Sequence, residues 1–399
     1  MHPSKRISGQ RFLHSPGPTR VPEDVLNEMS RQPMDMGDPR LATMVAACED
    51  GLRQVFQTRD ADVFMYAANG HGAWEATIVN LIAPGQTVMV PGSGHFSETW
   101  AQHAEAFGAI VVRTPYRDGY PVDVAAIEAA LREDTAHVIT AVLVVHTDTA
   151  SGMTSDIPAV RAAIDRAGHP ALLVVDVVAS LGASPFDMDG WGVNVALGAS
   201  QKALMVPPGL SFMAVDARAM AVATANPTPR VYWDWGRRKS DFMYRKFCGT
   251  PPQNLLMGLE AALALILEEG LDVVLARHDR TARAVRAAVQ AWSTAGALRF
   301  FGEVPEARSA SVTTVAVDPA AFDPEALRDA TRERFQVAVA GGLGSLAGRA
   351  FRIGHLGDIN PAMILGCLGA IEAGMTAQGV PFGQGGIAAA IAVLSEIDA

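Results

Sequence analysis

The run Ala171-Leu-Leu-Val-Val-Asp176 constrains the fold more than any other stretch of this sequence. Its five apolar residues show no polar alternation and leave no face for water. Such a segment suits a parallel strand covered by helices on both sides. A carboxylate closes the run, and ligands of open α/β sheets bind beyond the carboxyl ends of the strands. Other largely apolar runs at residues 63–66, 87–90, 110–113, 138–145, 193–198 and 211–215 are separated in places by helical periodicity, at 73–81, 98–107, 122–133 and 157–167. That alternation predicts an α/β fold with a mostly parallel sheet.

At 399 residues the chain is too long for one ordinary core, so two domains are expected. The rhythm changes near Leu271. From there a long amphipathic helix, strands at 312–317, 337–340 and 351–356, a helix opened by Asp323-Pro324 and helices at 362–377 and 386–397 suggest a smaller α+β domain. The expected division is an N-terminal arm at 1–20, a large domain at 21–270 and a small C-terminal domain at 271–399.

Lysine is rare, occurring at positions 5, 202, 239 and 246 only. Lys202 alone sits between small residues and an apolar run, in Gly198-Ala-Ser-Gln-Lys-Ala-Leu-Met-Val-Pro-Pro-Gly209. Desolvation disfavours the ammonium form, so a lysine placed this way can act as a neutral amine toward a carbonyl. The alternative use is a surface lysine with a buried stem. Asp176 lies 26 residues upstream, and a lone strand-end Asp often only caps a helix or turn. Together the two residues meet the needs of pyridoxal 5'-phosphate (PLP): a lysine for the aldehyde in a Schiff base, and a carboxylate to keep the pyridine nitrogen protonated. The turn Ala68-Asn69-Gly70-His71-Gly72 before a helix is a candidate anion site through free backbone N–H groups. It matches neither a phosphate-binding P-loop nor a dinucleotide fingerprint. Ser15-Pro16-Gly17-Pro18-Thr19 is a rigid turn able to present backbone to a site.

A net charge of -10 argues against a nucleic-acid partner, and no apolar run is long enough to span a bilayer. The N-terminus lacks the apolar core of a secretory signal. Cys48, Cys248 and Cys367 form neither a disulfide framework nor a metal-binding spacing, so no metal and a reducing, cytoplasmic setting are expected.

Three pieces, Gly198-Ala-Ser-Gln-Lys202-Ala-Leu with Pro207-Pro208-Gly209, Val175-Asp176, and Phe351-Arg352-Ile353-Gly354, resemble the class V, fold-type I PLP aminotransferases. The likeness covers essentially the whole chain and is greatest to the alanine-glyoxylate and serine-glyoxylate group. It implies PLP as cofactor, with Lys202 as Schiff-base lysine, Asp176 as pyridinium partner, and Val178 and Phe96 on the two ring faces. It further implies that Gly70, His71 and Gln201 contact the phosphate, that Thr149 reaches the ring oxygen and that Thr250 contacts the phosphate from a second subunit of a homodimer. Arg352 would clamp the substrate carboxylate, with Pro16 and Gly17 nearby. The reaction implied is a ping-pong transfer from a small amino acid, alanine or serine, to a 2-oxo acid such as glyoxylate or pyruvate.

The sequence departs from that group at Asp148, where most relatives have Glu, at Met36-Gly37, where a His-Arg pair is common, and at Phe247, where some have Tyr. Asp148-Thr149, Asp38-Pro39 and Arg352-Ile-Gly-His355 also resemble pyridoxamine-pyruvate aminotransferase. An aspartate-glyoxylate activity would need a second cation, for which Arg237 and Arg238 are the candidates. A class V lyase such as a cysteine desulfurase needs a reactive Cys on a mobile loop, which neither Cys248 nor Cys367 suits. His95 and His355 are expected as pocket-lining residues without an acid–base role.

Overall fold

The computed structural model describes residues 9–396. A seven-stranded sheet organises the first part of the chain. From edge to edge it runs Asp62–Tyr66, Ser211–Val215, Val195–Ala199, Leu172–Asp176, Ile139–Val145, Thr87–Val90 and Ile110–Arg113. Four adjacent pairs are parallel. Ser211–Val215 is antiparallel to both of its neighbours, so Asp62–Tyr66 points the same way as Val195–Ala199. All strands but Ser211–Val215 therefore deliver their carboxyl ends to one edge.

Both faces of this sheet are covered. Leu173 and Val175 join one apolar cluster with Leu41, Leu52, Phe56 and Leu263, whereas Leu172 and Val174 join another with Trp74, Ile78 and Trp100. Alternate residues of one strand thus feed two cores, which is why the strand carries no polar position. Each such side chain contributes about 1.5–3 kcal/mol on burial.

The second sheet runs Phe12–His14, Val337–Gly341, Ala350–Gly354, Val312–Val317 and Leu298–Phe300. Its first strand differs from expectation. Phe12–His14 pairs in parallel with Val337, Ala338 and Val339, so residues 12–14 of the segment expected as an N-terminal arm form a strand of the C-terminal sheet; residues 1–8 of that arm lie outside the described residues. Beyond His14 the chain lies flat on Ala350–Gly354: a Cβ at Gly354 would fall 2.4 Å from the Ser15 carbonyl carbon. Helices Leu271–Trp292, Pro324–Arg334, Pro361–Ala377 and Gly386–Leu394 pack on this half. The last helix ends three residues before the expected end at Ile397, which also lies outside the described residues. No helix among the described residues is long and apolar enough to cross a membrane.

Candidate active site

The carboxyl edge of the large sheet encloses a cavity of about 280 Å³ lined by Gly70, His71, Trp74, Phe96, Thr149, Asp176, Val178, Gln201 and Lys202, among others. They come from the carboxyl ends of several strands of this sheet or from the turns and first helical turns that follow them. Asp176 closes Leu172–Asp176, and Gln201-Lys202 follows Val195–Ala199.

Asp176 is held from two sides. Its Oδ1 accepts from the Val178 N–H at 2.7 Å, and its Oδ2 from the Trp74 indole N–H, also at 2.7 Å. Burial pushes its carboxyl up to about 6, against the pull of those two donors and of Lys202. Trp74 was not foreseen. It lies one turn into helix Gly70–Leu81 and is stacked on Trp100 at 5.6 Å, which fixes the indole N–H toward the carboxylate.

Lys202 is fixed through its backbone. Its carbonyl accepts from the Thr19 hydroxyl at 2.8 Å and from the Met205 N–H at 3.0 Å, and the Gln201 carbonyl accepts from the Thr19 N–H at 3.1 Å. The amine donates to the Pro16 carbonyl at 2.5 Å. Burial, with Arg352 adding repulsion, lowers its pKa to about 8 while Asp176 and Asp148 oppose the fall. Gly17 is pressed against the side chain: a Cβ there would lie 2.6 Å from both Cδ and Nζ of Lys202, and its φ of +133° suits glycine. The Ser15–Thr19 turn therefore does present backbone to this lysine.

The anion-binding turn is more fully bonded than expected. Asn69 caps helix Gly70–Leu81, its side-chain oxygen accepting from the His71 N–H at 3.1 Å and the Gly72 N–H at 3.3 Å. The His71 N–H read as free is thus shared with the cap. Gln201 Oε1 is buried without a hydrogen-bond partner, so its amide is available to a polar group entering the cavity. A Cβ at Gly70 would sit 3.1 Å from Val178, so the first turn of the helix packs directly on that valine.

Arg352, 7% exposed, stands at the junction of the two sheets. Its Nε donates to the Gly341 carbonyl at 2.6 Å and its Nη1 to the Thr149 carbonyl at 2.9 Å. No carboxylate pairs with it among the described residues, and burial lowers its pKa to about 10. Asp148 braces the neighbourhood, accepting from the N–H groups of Phe96, Ala150 and Ser151 at 2.8, 2.8 and 3.1 Å; burial raises its pKa.

Other expected residues lie elsewhere. Thr250 is exposed and does not line this cavity. His355 is fully buried, hydrogen-bonded to Thr313 Oγ1 and the Ala310 carbonyl at 2.9 Å each, and lowered to about 3 by burial; it is a packed residue and does not line this cavity. His95 is exposed at a helix start and is absent from the cavity lining. Arg238 is 2% exposed and donates to the carbonyls of Tyr232, Met65 and Lys246, so it ties its own segment to strand Asp62–Tyr66 and does not line this cavity. Among the described residues no group of three or more His, Cys, Asp or Glu could hold a metal ion.

The sequence profile described as Aminotransferase class-V matches residues 11–349. The chain belongs to the class-V aminotransferases. Its cofactor is accordingly PLP, and the cavity fits it: an amine, a carboxylate at a strand end and an unpartnered amide face one space. This class-V aminotransferase is 38% identical to the L-aspartate--glyoxylate aminotransferase of Paracoccus denitrificans over 387 residues, covering 96% of each chain. It is also 38% identical to the serine--glyoxylate aminotransferase of Methylorubrum extorquens over 397 residues, covering 98% of each. Among solved structures it resembles ureidoglycine-glyoxylate aminotransferase of Bacillus subtilis, with a TM-score of 0.89 at 27% identity over 98% of this chain and 100% of that one. Pyridoxamine-pyruvate aminotransferase of Mesorhizobium loti aligns with a TM-score of 0.88 at 29% identity, covering 98% of both chains.

Proposed function

We propose that this aminotransferase moves the amino group of a small amino acid, alanine or serine, to glyoxylate or pyruvate. The observation that carries this reading is the placement of Lys202 and Asp176 on one cavity, with the carboxylate-free guanidinium of Arg352 beside it. When bound, PLP supplies an aldehyde for the lysine amine and a ring able to take up the electrons of a broken Cα–H bond.

Arg352 holds the donor carboxylate in a two-pronged contact and so sets which Cα bond faces the cofactor. Lys202, lowered to about 8, takes the Cα proton as a neutral amine and returns one during the same half-reaction. Asp176, ionised above about 6, holds a proton on the pyridine nitrogen. Val178 and Phe96 would pack the two ring faces, Thr149 would reach the ring oxygen, and Gly70, His71 and Gln201 would hold the phosphate. Pro16 and Gly17 position Lys202 and bound the donor side.

The exposed Thr250 acts on the phosphate of a second copy, in a homodimer of the cytoplasm. A domain boundary near Leu271 separates the cofactor half from the half carrying Arg352. Free pyridoxamine as substrate is the less favoured reading, because Asn69-Gly70-His71 and Gln201 offer donors that such a substrate has no phosphate to use.

The test is a visible spectrum of the PLP-loaded protein with alanine, serine or aspartate added. A band near roughly 420 nm that a donor bleaches toward about 330 nm, and that Lys202→Ala lacks, is the expected result. A protein that takes up PLP with no such band contradicts the lysine assignment.

A further inference from the structure

Asp148 is fully buried, and its carboxylate accepts from backbone N–H groups that belong to two different walls of the cofactor cavity. Oδ2 takes the N–H of Phe96, the second residue of helix His95–Ala106. Gly94 precedes that helix and supplies no side-chain cap, so a carboxylate 52 residues further along the chain fills the capping place. The approach is close: a Cβ at Gly94 would lie 2.7 Å from Asp148 Oδ2, and its φ of +145° suits glycine. Oδ1 takes the N–H groups of Ala150 and Ser151, and the Asp148 carbonyl that of Gly152 at 2.8 Å, which closes the turn carrying Thr149.

Phe96, Thr147 and Thr149 line the cavity, whereas Asp148 does not. The carboxylate therefore lies behind the wall and joins the helix start that carries the Phe96 ring to the turn that carries the Thr149 hydroxyl. Among the described residues its titratable and charged neighbours are Lys202, Asp176, Arg352, His95 and Tyr116. Toward the lysine it favours the ammonium form. The three N–H donors and His95 favour the ionised carboxylate against burial.

We propose that Asp148 is a positioning residue for the cofactor ring: by capping helix His95–Ala106 with one oxygen and closing the Thr149 turn with the other, it sets how far the Phe96 ring stands from the Thr149 hydroxyl. The inference rests on the reading of Phe96 and Thr149 as ring contacts and is independent of the donor. An amide at position 148 has one acceptor oxygen for two sets of donors, so either the cap or the turn is released. A glutamate keeps the charge and both oxygens but needs room for one more methylene beside Gly94.

The test compares wild type with Asp148→Asn, Asp148→Glu, Phe96→Leu and the double variant Asp148→Asn/Phe96→Leu, with far-ultraviolet circular dichroism as the check on folding. Asp148→Asn is expected to bind PLP about tenfold more weakly and to lose ellipticity in the cofactor band per bound PLP. Because that loss passes through Phe96, the loss in the double variant falls short of the product of the single losses by about threefold or more. Single losses that multiply, or wild-type affinity and ellipticity in Asp148→Asn, overturn the proposal. Phe96→Leu that binds PLP like wild type overturns the ring-contact reading and this inference with it.

The apoprotein gives a readout that a merely loosened wall does not mimic: reductive methylation of Lys202, followed by mass spectrometry between about pH 6 and 10. Loss of the charge lowers the pH at which Lys202 becomes reactive, by about half a pH unit or more in Asp148→Asn, and Asp148→Glu restores it. An unmoved midpoint means that residue 148 is not an ionised carboxylate in this wall, and a raised one that the wall has opened to water; either refutes the proposal. Should Asp148→Asn not fold, Asp148→Glu decides: lower ellipticity with the wild-type Lys202 midpoint supports the role, and wild-type ellipticity refutes it. No donor enters these measurements, so failure of the alanine or serine reading is seen separately.

Discussion

Replacing Trp74 by Phe isolates one hydrogen bond at the Asp176 carboxylate. The ring keeps its stacking partner Trp100 and its place in the core, but the indole N–H that reaches Asp176 Oδ2 at 2.7 Å is lost. Asp176 already titrates near 6 because it is buried, and the Trp74 and Val178 donors are what hold it from going higher. A hydrogen bond to a charged group is worth about 1.5–3 kcal/mol, which at about 1.4 kcal/mol per pH unit raises the carboxyl by about one to two pH units. The sign is fixed by the donor's preference for the ionised form: without it, protonation sets in at higher pH. In the proposed role, a protonated Asp176 can no longer hold a proton on the pyridine nitrogen. The acid limb of the pH profile for PLP affinity, followed by fluorescence quenching of the apoprotein between pH 5 and 9, should therefore move upward by about one pH unit or more. Trp74→Phe with a limb within about 0.3 pH units of wild type would show that Val178 and the strand end alone set the carboxylate.

Removing the lysine has opposite effects on function and stability. Lys202 lies near 8 in the folded protein against 10.5 ordinarily, so its charge is a cost to the apoprotein below about pH 8, and stability rises as pH climbs from about 8 to 10.5. Lys202→Met should stabilise the apoprotein at pH 7 by about 2–3 kcal/mol in urea unfolding and flatten that rise; a less stable variant contradicts the burial argument. Gly17→Ala places a Cβ 2.6 Å from the Lys202 side chain at a φ of +133°. It should cost about 1–3 kcal/mol of stability and slow formation of the cofactor band, whereas normal band formation would mean the turn yields freely. Arg352→Lys keeps the charge but loses the fork. Donor KM should rise about tenfold or more with PLP affinity retained, and loss of PLP instead would place Arg352 on the cofactor.

What could be read from the sequence depended on how local the signal was. Lys202 and Asp176 were legible because each breaks the pattern of its own neighbourhood, a cation inside an apolar run and a carboxylate at the end of one. Trp74 was not, because its partner is 102 residues away and a Trp one turn into an apolar helix reads as core. The Asn69 cap carries a local signal in the sequence: Asn directly before a helix prefers to bond the first N–H groups itself. The antiparallel insertion of Ser211–Val215 left no trace in its composition, since a fully buried strand is apolar in either direction.

The N-terminal turn was the hardest to place, and it explains why the two halves make one site. Phe12–His14 is bound to the C-terminal sheet, yet three residues later Gly17 is packed on Lys202 at the edge of the large sheet, and Thr19 bonds the lysine's carbonyl. Arg352 makes the same crossing from the other side, since it belongs to the C-terminal sheet and donates to Thr149 of the cofactor cavity. The Pro16 carbonyl on the lysine amine and the Arg352 guanidinium on the Thr149 carbonyl therefore both reach the edge of the large sheet from segments joined to the C-terminal sheet.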